Sequence, residues 1–398
     1  MKDQFVVPAR LRTTSFVLMA IGLLTFVIGL FAADTTLFWA GLLQNSAFFT
    51  LVVLASTFFI AATTLAQGGW QMSFRRVMEA ISMAVPVLAI IMVIVIGFLV
   101  IGHKTGVYAW TDANMVAHDE VLKSKSAFLS TGFVMTATVI ILGLWSFFTI
   151  RLRKMSIQED GWDLKPETGK RILWRGTVWC GGFMVVYVLS VGSTTPWIWL
   201  MNIDPHWFST MYSWYTFVSS FVSGIALITL FVVYLKKQGY LPFVTQEHLH
   251  DLGKFLFAFS IFWTYLWFSQ YMLIWYANIP DETVYFVPRV RGEWRPIFFL
   301  NLLINFVTPF LILMKRDSKR NYTTVVFMCI VIITGHWIDF WQMVMPGSVH
   351  HLHFPIFELG IGAGFIGLII YLVSTNLTKA PLTVKNHPYL KESILHHT

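Results

Sequence analysis

Ten apolar stretches, each close to the length needed to cross a bilayer, dominate this 398-residue chain. A membrane-spanning helix needs roughly 20 consecutive apolar residues, with a range of about 17–25. The stretches occupy residues 15–33, 44–66, 79–101, 127–150, 173–192, 211–235, 253–278, 296–314, 322–345 and 354–375. The pattern predicts an all-α integral membrane protein, a single polytopic domain (1–398) of about ten transmembrane helices.

The scarcity of charged residues excludes a soluble fold. Charged residues make up 12% of the chain and hydrophobic residues 56%, whereas an average soluble domain carries roughly 25% charged residues. A net charge of +8 would suggest nucleic-acid binding in a soluble protein. In a membrane protein, basic residues instead collect in cytoplasmic loops. We therefore expect lipids and protein subunits as partners, and no nucleic acid.

The distribution of lysine and arginine predicts the orientation. If the N-terminus lies in the cytoplasm, 22 of the 28 Lys and Arg residues fall on the cytoplasmic side and six on the outer side. Such a bias is typical of correctly oriented membrane proteins, and an odd number of helices would scramble it. We therefore expect both termini in the cytoplasm.

Cysteine usage argues against a cofactor in this chain. Cys180 and Cys329 each lie inside an apolar stretch, and two thiolates are too few for a four-cysteine iron–sulfur cluster. No C-x-x-C-H haem-attachment run is present. Histidines at 350, 351 and 353 could bind a transition metal, but we favour interfacial contacts to a partner. The same partner contact is expected of the outer loops 193–210 and 279–295.

Three titratable residues lie in the last two apolar stretches. His336 and Asp339 are three residues apart and share a helix face, and Glu358 lies near the start of the tenth stretch. Ionisable side chains inside a membrane are costly and mark proton or substrate paths. A histidine with two carboxylates can hold and release protons. The group is a candidate proton relay in the outer half of the membrane, and the alternative is a static hydrogen-bonded knot.

A second titratable group lies at the inner end of the seventh helix. It contains His250, Asp251 and Lys254, with Glu79 of the third stretch as a candidate neighbour. These residues could take up protons from the cytoplasm, and Tyr265 would then lie on the path to the outer group. The alternative is a solvated helix start, where Asp251 stabilises the positive end of the helix dipole.

Four runs carry a resemblance to a known family. They are residues 199–211 (WLMNIDPHWFSTM), 248–254 (HLHDLGK), 268–283 (FSQYMLIWYANIPDET) and 335–339 (GHWID). These runs resemble the ActF membrane subunits of bacterial alternative complex III, which are related to the NrfD-like membrane subunit of polysulfide reductase. The resemblance implies a bacterial inner-membrane location and a fold of two four-helix bundles flanked by outer helices.

The resemblance also implies function and partners. It implies a cofactor-free subunit of a quinol-oxidising respiratory complex that contributes to proton translocation. Haem c and iron–sulfur clusters are expected in periplasmic c-type cytochrome and iron–sulfur subunits, quinone in a homologous membrane subunit, and a terminal oxidase as a further partner. The chain itself would carry no redox centre.

Two other readings stay open, and a third lacks its expected sequence feature. The chain itself could bind quinol beside His336, Asp339 or Asp204, or it could serve only as a structural anchor for extramembrane subunits. An autonomous transporter would show helices interrupted at mid-membrane in repeated motifs, and we identify no such pair in the sequence.

Overall fold

The computed structural model describes residues 4–32, 35–349 and 351–397, and these ranges contain helices, turns and loops but no strand. Ten of the described helices are long and apolar enough to cross a membrane. They are α1 (Ala9–Leu30), α2 (Thr35–Leu65), α3 (Arg75–Ile101), α4 (Thr131–Glu159), α5 (Pro166–Ile203), α6 (Met211–Lys237), α7 (Gln246–Ala277), α8 (Arg295–Leu313), α9 (Tyr322–Ser348) and α10 (Ile356–Leu377). The chain is a multi-pass membrane protein, and the predicted all-α fold class is confirmed.

The ten helices form two adjoining bundles and a peripheral pair. Helices α2, α3, α4 and α5 pack in a ring, and α6, α7, α8 and α9 pack in a second ring. Helix α2 joins the two, since it also contacts α6, α9 and α10. Helix α1 lies outside, along α10. This close pairing depends on glycine, because a Cβ on Gly22 would lie 2.4 Å from Gly364 Cα.

Loops gather at two opposite ends. One end contains the first and last described segments, residues 4–8 and 378–397, and is called the terminal end. It also holds the loops 66–74, 160–165, 238–245 and 314–321. The far end holds the loops 102–130, 204–210 and 278–294 and residues 351–355. Shorter helices at these ends are Trp70–Ser73, Ala109–Thr111, Ala113–His118, Glu120–Ser124, Pro280–Thr283, Phe286–Arg291, Arg316–Arg320 and Leu390–Ile394.

Two of the long helices contain π turns just before a Thr-Pro pair. The π segments are Ser190–Thr194 in α5 and Leu303–Val307 in α8. Proline lacks the N–H that would bond the carbonyl four residues earlier, and a π turn absorbs this defect without ending the helix. Helix α5 therefore continues to Ile203, beyond the predicted end at 192. Much of loop 193–210 is thus folded into the helical body, and Trp199 and Trp207 are buried.

Candidate functional site

The carboxylate of Asp339, on α9, is enclosed by hydrogen-bond donors. Asn301 Nδ2 donates to Oδ1 over 2.7 Å, and the Tyr215 hydroxyl donates to the same oxygen. Ser219 Oγ and Trp263 Nε1 donate to Oδ2 over 2.8 and 2.9 Å. Hydrogen bonds to a charged group are roughly twice as strong as neutral ones. Because the donors come from α6, α7 and α8, one carboxylate ties together all four helices of the second bundle.

His336 is joined to Asp339 through a single hydroxyl. His336 Nδ1 lies 3.0 Å from Ser219 Oγ, which lies 2.8 Å from Asp339 Oδ2. The direct distance from Nδ1 to Oδ2 is 3.8 Å. A hydroxyl that donates to the carboxylate accepts from Nδ1, so the neutral ring carries its proton on Nδ1. Nε2 then has a free lone pair, and it finds no partner among the described residues although His336 is fully buried.

Two asparagines of α8, one of them in its π turn, lie at this site. Asn305 Nδ2 donates to Asn301 Oδ1 over 2.5 Å, which leaves the Asn301 amide group free to donate to Asp339. Helix α9 comes close because residue 335 is glycine, and a Cβ on Gly335 would lie 2.2 Å from Asn305 Oδ1. The sequence signals for this arrangement are the Thr308-Pro309 pair and two asparagines in an apolar helix. π turns often occur at functional sites.

A narrow cavity extends from Asp339 toward the far end. Its polar lining includes Tyr215, Gln270, Tyr285, Arg289 and Gln342. Burial raises the pKa of Tyr285 to about 12, so this phenol stays protonated at neutral pH. Polar and apolar side chains together therefore line the small space between the carboxylate and the far-end loops.

Arg289 is a buried cation at the outer end of this cavity. Its Nε donates to Gln342 O over 3.1 Å and its Nη2 to Met343 O over 3.0 Å. The carbonyl of Gln342 needs such a donor because Pro346 has no N–H to offer it. Arg289 Nη2 also lies 3.5 Å from Asp204 Oδ2. The loop 279–295 therefore reaches into the helical body through this arginine.

Glu358 lies in a separate contact group. His353 Nε2 is 2.7 Å from Glu358 Oε1, and Trp341 Nε1 donates to the same oxygen over 3.2 Å. Asn45 Nδ2 donates to the backbone carbonyl of Glu358 over 3.1 Å. The sequence grouped Glu358 with His336 and Asp339. The structure places Glu358 fully buried between α2, α9 and the far-end loop, with no hydrogen bond between its side chain and the Asp339 group among the described residues.

Glu79, at the terminal end, pairs with arginines rather than with the α7 group. Its Oε1 accepts from Arg75 Nε over 3.1 Å. Its Oε2 accepts from Arg76 Nη1 over 2.8 Å and from Arg153 Nη1 over 3.1 Å. Arg76 Nη2 also contacts Asp160 Oδ2 over 2.5 Å. This arginine cluster of Arg75, Arg76, Arg153, Glu79 and Asp160 joins α3 to α4.

The predicted α7 group is assembled around Asp251. Lys254 Nζ lies 2.5 Å from Asp251 Oδ1, and His396 Nε2 lies 2.6 Å from Oδ2. His250 is buried on the same helical turn. The C-terminal segment thus covers the start of α7, a contact that local sequence patterns could not reveal.

The C-terminal segment is held by further contacts at the terminal end. Ser393 Oγ lies 2.6 Å from Ser73 Oγ and donates to Trp70 O over 2.5 Å. The backbone N–H of Lys385 donates to Asp160 over 3.0 Å. Burial, together with the charges of Arg75 and Arg76, lowers the pKa of His387 to about 3. The docked segment therefore holds this imidazole neutral.

Along α7, buried apolar side chains separate the two predicted groups. From Asp251 to Ser260, nine residues along α7, the helix rises about 14 Å, and Leu252 and Leu256 are buried between them. Tyr265 lies on the surface of the helical body with 63% of its area exposed, so it belongs to neither titratable group. The buried Ser260 hydroxyl, without a partner among the described residues, lies one turn before Trp263.

No group of three His, Cys, Asp or Glu side chains is placed to hold a metal within the described ranges. His350 of the predicted histidine group lies outside those ranges. The rings of His351 and His353 are 6.4 Å apart between centroids. Cys180 and Cys329 are both buried free thiols, in different bundles.

Comparison with known proteins gives no family assignment. No protein-family model matches the chain, and no curated protein matches it.

Proposed function

We propose that this chain is a cofactor-free, proton-carrying membrane subunit of a quinol-oxidising respiratory complex of the alternative complex III type. The observation that carries the proton-transfer part is the hydroxyl of Ser219, which bridges a fully buried histidine and a fully buried carboxylate. The respiratory complex rests on the sequence resemblance alone. On this proposal the chain lies in a bacterial inner membrane with both termini in the cytoplasm.

The proposed step moves one proton from water on the terminal side to Asp339. A hydrated proton is transferred to the free lone pair of His336 Nε2, and its carrier is left as neutral water. His336 Nδ1 passes its own proton to Ser219 Oγ, and the Ser219 hydroxyl proton passes to Asp339 Oδ2. Afterwards His336 is neutral with its proton on Nε2, Ser219 is again a hydroxyl, and Asp339 is a neutral acid. One proton has then moved from the terminal side of the relay to its far side.

Uptake and release follow from the surroundings of the relay. On the terminal side, Ser260 is the nearest described hydroxyl along α7 that lacks a partner, and buried unpaired polar groups are where ordered water binds. On the far side, Asp339 faces the cavity that Arg289 also lines. The proposed release path therefore runs from Asp339 through this cavity toward the far-end loops.

The resemblance supplies the partners. They are a homologous quinol-binding membrane subunit, a periplasmic iron–sulfur subunit, c-type cytochrome subunits and a terminal oxidase. Haem c and iron–sulfur clusters in those subunits would carry the electrons, while this chain carries protons.

A second function is favoured by one observation. Asp339 accepts four hydrogen bonds from three helices, and a carboxylate held in this way can be a static structural knot. A chain with such a knot would act as a membrane anchor for the extramembrane subunits and would move no protons.

Ser219→Ala separates the two functions. The substitution removes the bridging hydroxyl but leaves Asp339 with three donors. The matched control is Ser220→Ala, since the Ser220 hydroxyl donates over 2.9 Å only to Phe217 O in its own helix. The measurement is the number of protons translocated per electron by the assembled complex in proteoliposomes.

The relay predicts that Ser219→Ala keeps quinol oxidation but loses proton translocation, while Ser220→Ala behaves as the unmodified complex. Positioned proton transfer typically contributes about 10²–10⁴-fold in rate, so the loss should be near complete. Unchanged proton translocation in Ser219→Ala would establish the knot instead.

A further inference from the structure

An elongated apolar crevice of about 530 Å³ opens on the surface of the helical body between α1, α2, α6, α9 and α10. Apart from Tyr234, Lys237 and Thr334, its lining is aliphatic or phenylalanine. We propose that this crevice binds one acyl chain of an anionic phospholipid, with the phosphate headgroup at Lys237. This inference is independent of the proposed proton relay.

The crevice has the length of one leaflet. It extends along α6 from Leu227 to Lys237, ten residues that rise about 15 Å. The hydrocarbon core of a bilayer is about 30 Å thick, so an acyl chain that starts at Lys237 reaches the midplane near Leu227. On α9 the crevice ends at Thr334, in the middle of the helix. A lipid of the leaflet at the terminal end therefore fits the crevice lengthwise.

Three exposed cations lie at the end of the crevice or next to a residue that lines it. Lys237 is exposed, as are Arg10 and Arg12, which flank the lining residue Leu11 on α1. No ion pair of the described residues includes any of these three side chains. The neighbouring Lys236 differs, because its Nζ donates to the carbonyls of Leu241 and Pro242 over 3.3 Å.

The start of α1 is fixed beside this mouth. The ring of Phe5 packs edge-on against Tyr240 at 5.4 Å, and the N–H of Val6 donates to the Tyr240 hydroxyl over 3.4 Å. These contacts hold the arginine-bearing start of α1 beside the end of α6. The cations and the apolar crevice thus form one site, and an anionic headgroup on an acyl chain satisfies both parts.

An isoprenoid quinone or a zwitterionic lipid satisfies only the apolar part. A quinone head is neutral, and a choline headgroup brings its own cation to the three positive side chains. Basic pockets between transmembrane helices are a known setting for anionic lipid headgroups, and each Lys or Arg near an anionic surface adds about 1 kcal/mol. The charge of the mouth therefore selects phosphatidylglycerol-like lipids.

The test measures binding of the first lipid to the delipidated full-length chain by native mass spectrometry. Phosphatidylglycerol and phosphatidylcholine with identical acyl chains are titrated in separate arms, and an isoprenoid quinone in a third. Lys237→Gln tests the headgroup contact, with the exposed Lys154→Gln at the same end as its control. Ile330→Trp fills the crevice, and its control is Phe327→Trp, an equally exposed position of α9 outside the crevice.

We expect phosphatidylglycerol to bind more tightly than phosphatidylcholine. Lys237→Gln should weaken phosphatidylglycerol about fivefold, the factor that corresponds to one surface cation, and leave phosphatidylcholine unchanged. Ile330→Trp should weaken both lipids, and the two control variants neither. Equal binding of the two lipids, an unchanged affinity in Lys237→Gln, or tighter binding of the quinone would each overturn the proposal.

Discussion

Replacing Glu79 by glutamine should destabilise the protein strongly, because it removes the counter-charge of three buried arginines. The carboxylate accepts one hydrogen bond on Oε1, from Arg75, and two on Oε2, from Arg76 and Arg153. A glutamine keeps one acceptor oxygen and turns its amide donors toward the remaining guanidinium groups. Removing one partner of a buried ion pair typically costs about 3–5 kcal/mol. Asp160 still pairs with Arg76, so we expect about 3 kcal/mol, the lower end of that range.

The matched control is Glu167→Gln. Glu167 forms a 3.4 Å ion pair with Lys170 at the start of α5, and both side chains are exposed. Exposed pairs contribute about 0–1 kcal/mol. Both variants would be unfolded in mixed micelles with increasing SDS and followed by far-ultraviolet circular dichroism.

A loss in Glu79→Gln no larger than in Glu167→Gln would refute the reasoning. In that case the three arginines would be neutralised by solvent or by lipid phosphates, and Glu79 would be free to act in proton uptake, as the sequence hypothesis had it.

Two further predictions concern the loops at the two ends. The pKa of His387 is about 3 in the docked C-terminal segment, against an ordinary value of 6.5. Between these values the undocked segment binds a proton that the docked segment excludes. Docking therefore weakens as the pH falls below 6.5. The protection factors of the amides in residues 385–395, corrected for the intrinsic pH dependence of exchange, should be lower at pH 5 than at pH 7. His387→Gln should remove most of that difference, and an identical pH response in the variant would contradict the prediction. Arg289→Lys should lower stability by about 1.5–3 kcal/mol, because a single ammonium cannot reproduce the planar contacts to two carbonyls, whereas the exposed Arg291→Lys should have no measurable effect in the same SDS unfolding assay.

The fold class was predictable because membrane burial leaves a direct signature in the sequence. Each predicted stretch overlaps one of the long helices. The C-terminal end of α5 was not predictable from hydropathy, since Ser190 and residues 193–195 interrupt the apolar run while a π turn continues the helix. The Thr-Pro pairs at 195–196 and 308–309 were the available signal.

Only the part of the site formed by residues close together in the sequence was predictable. His336 and Asp339 share a helix face by spacing, and they do lie together. Their partners Tyr215, Ser219 and Asn301 come from other helices, and nothing in the local pattern ties them to α9. The assignment of Glu79 as a neighbour of the α7 group was wrong for the same reason, since it rested on membrane depth alone, whereas its partners are on α3 and α4.

The geometry also changes how Asp339 should be tested. By sequence alone, Asp339→Asn preserves shape and most hydrogen bonding. All four groups that contact the carboxylate are hydrogen-bond donors, two on each oxygen. In Asp339→Asn the side-chain NH₂ replaces one oxygen and faces two of these donors. Buried unsatisfied donors cost about 1–3 kcal/mol each, and the variant therefore needs a check of assembly.

The most direct test of the proposed relay is infrared difference spectroscopy of the assembled complex between its oxidised state and its quinol-reduced state. If Asp339 takes up and releases a proton, a carboxylic-acid C=O band should appear and disappear with turnover and shift on ¹³C labelling of aspartate. That band should be absent in assembled Asp339→Asn, and in Ser219→Ala it should no longer respond to turnover. If the difference spectra of the unmodified complex and of Asp339→Asn show the same carboxyl bands, the account is contradicted. Asp339 is then a static link between helices.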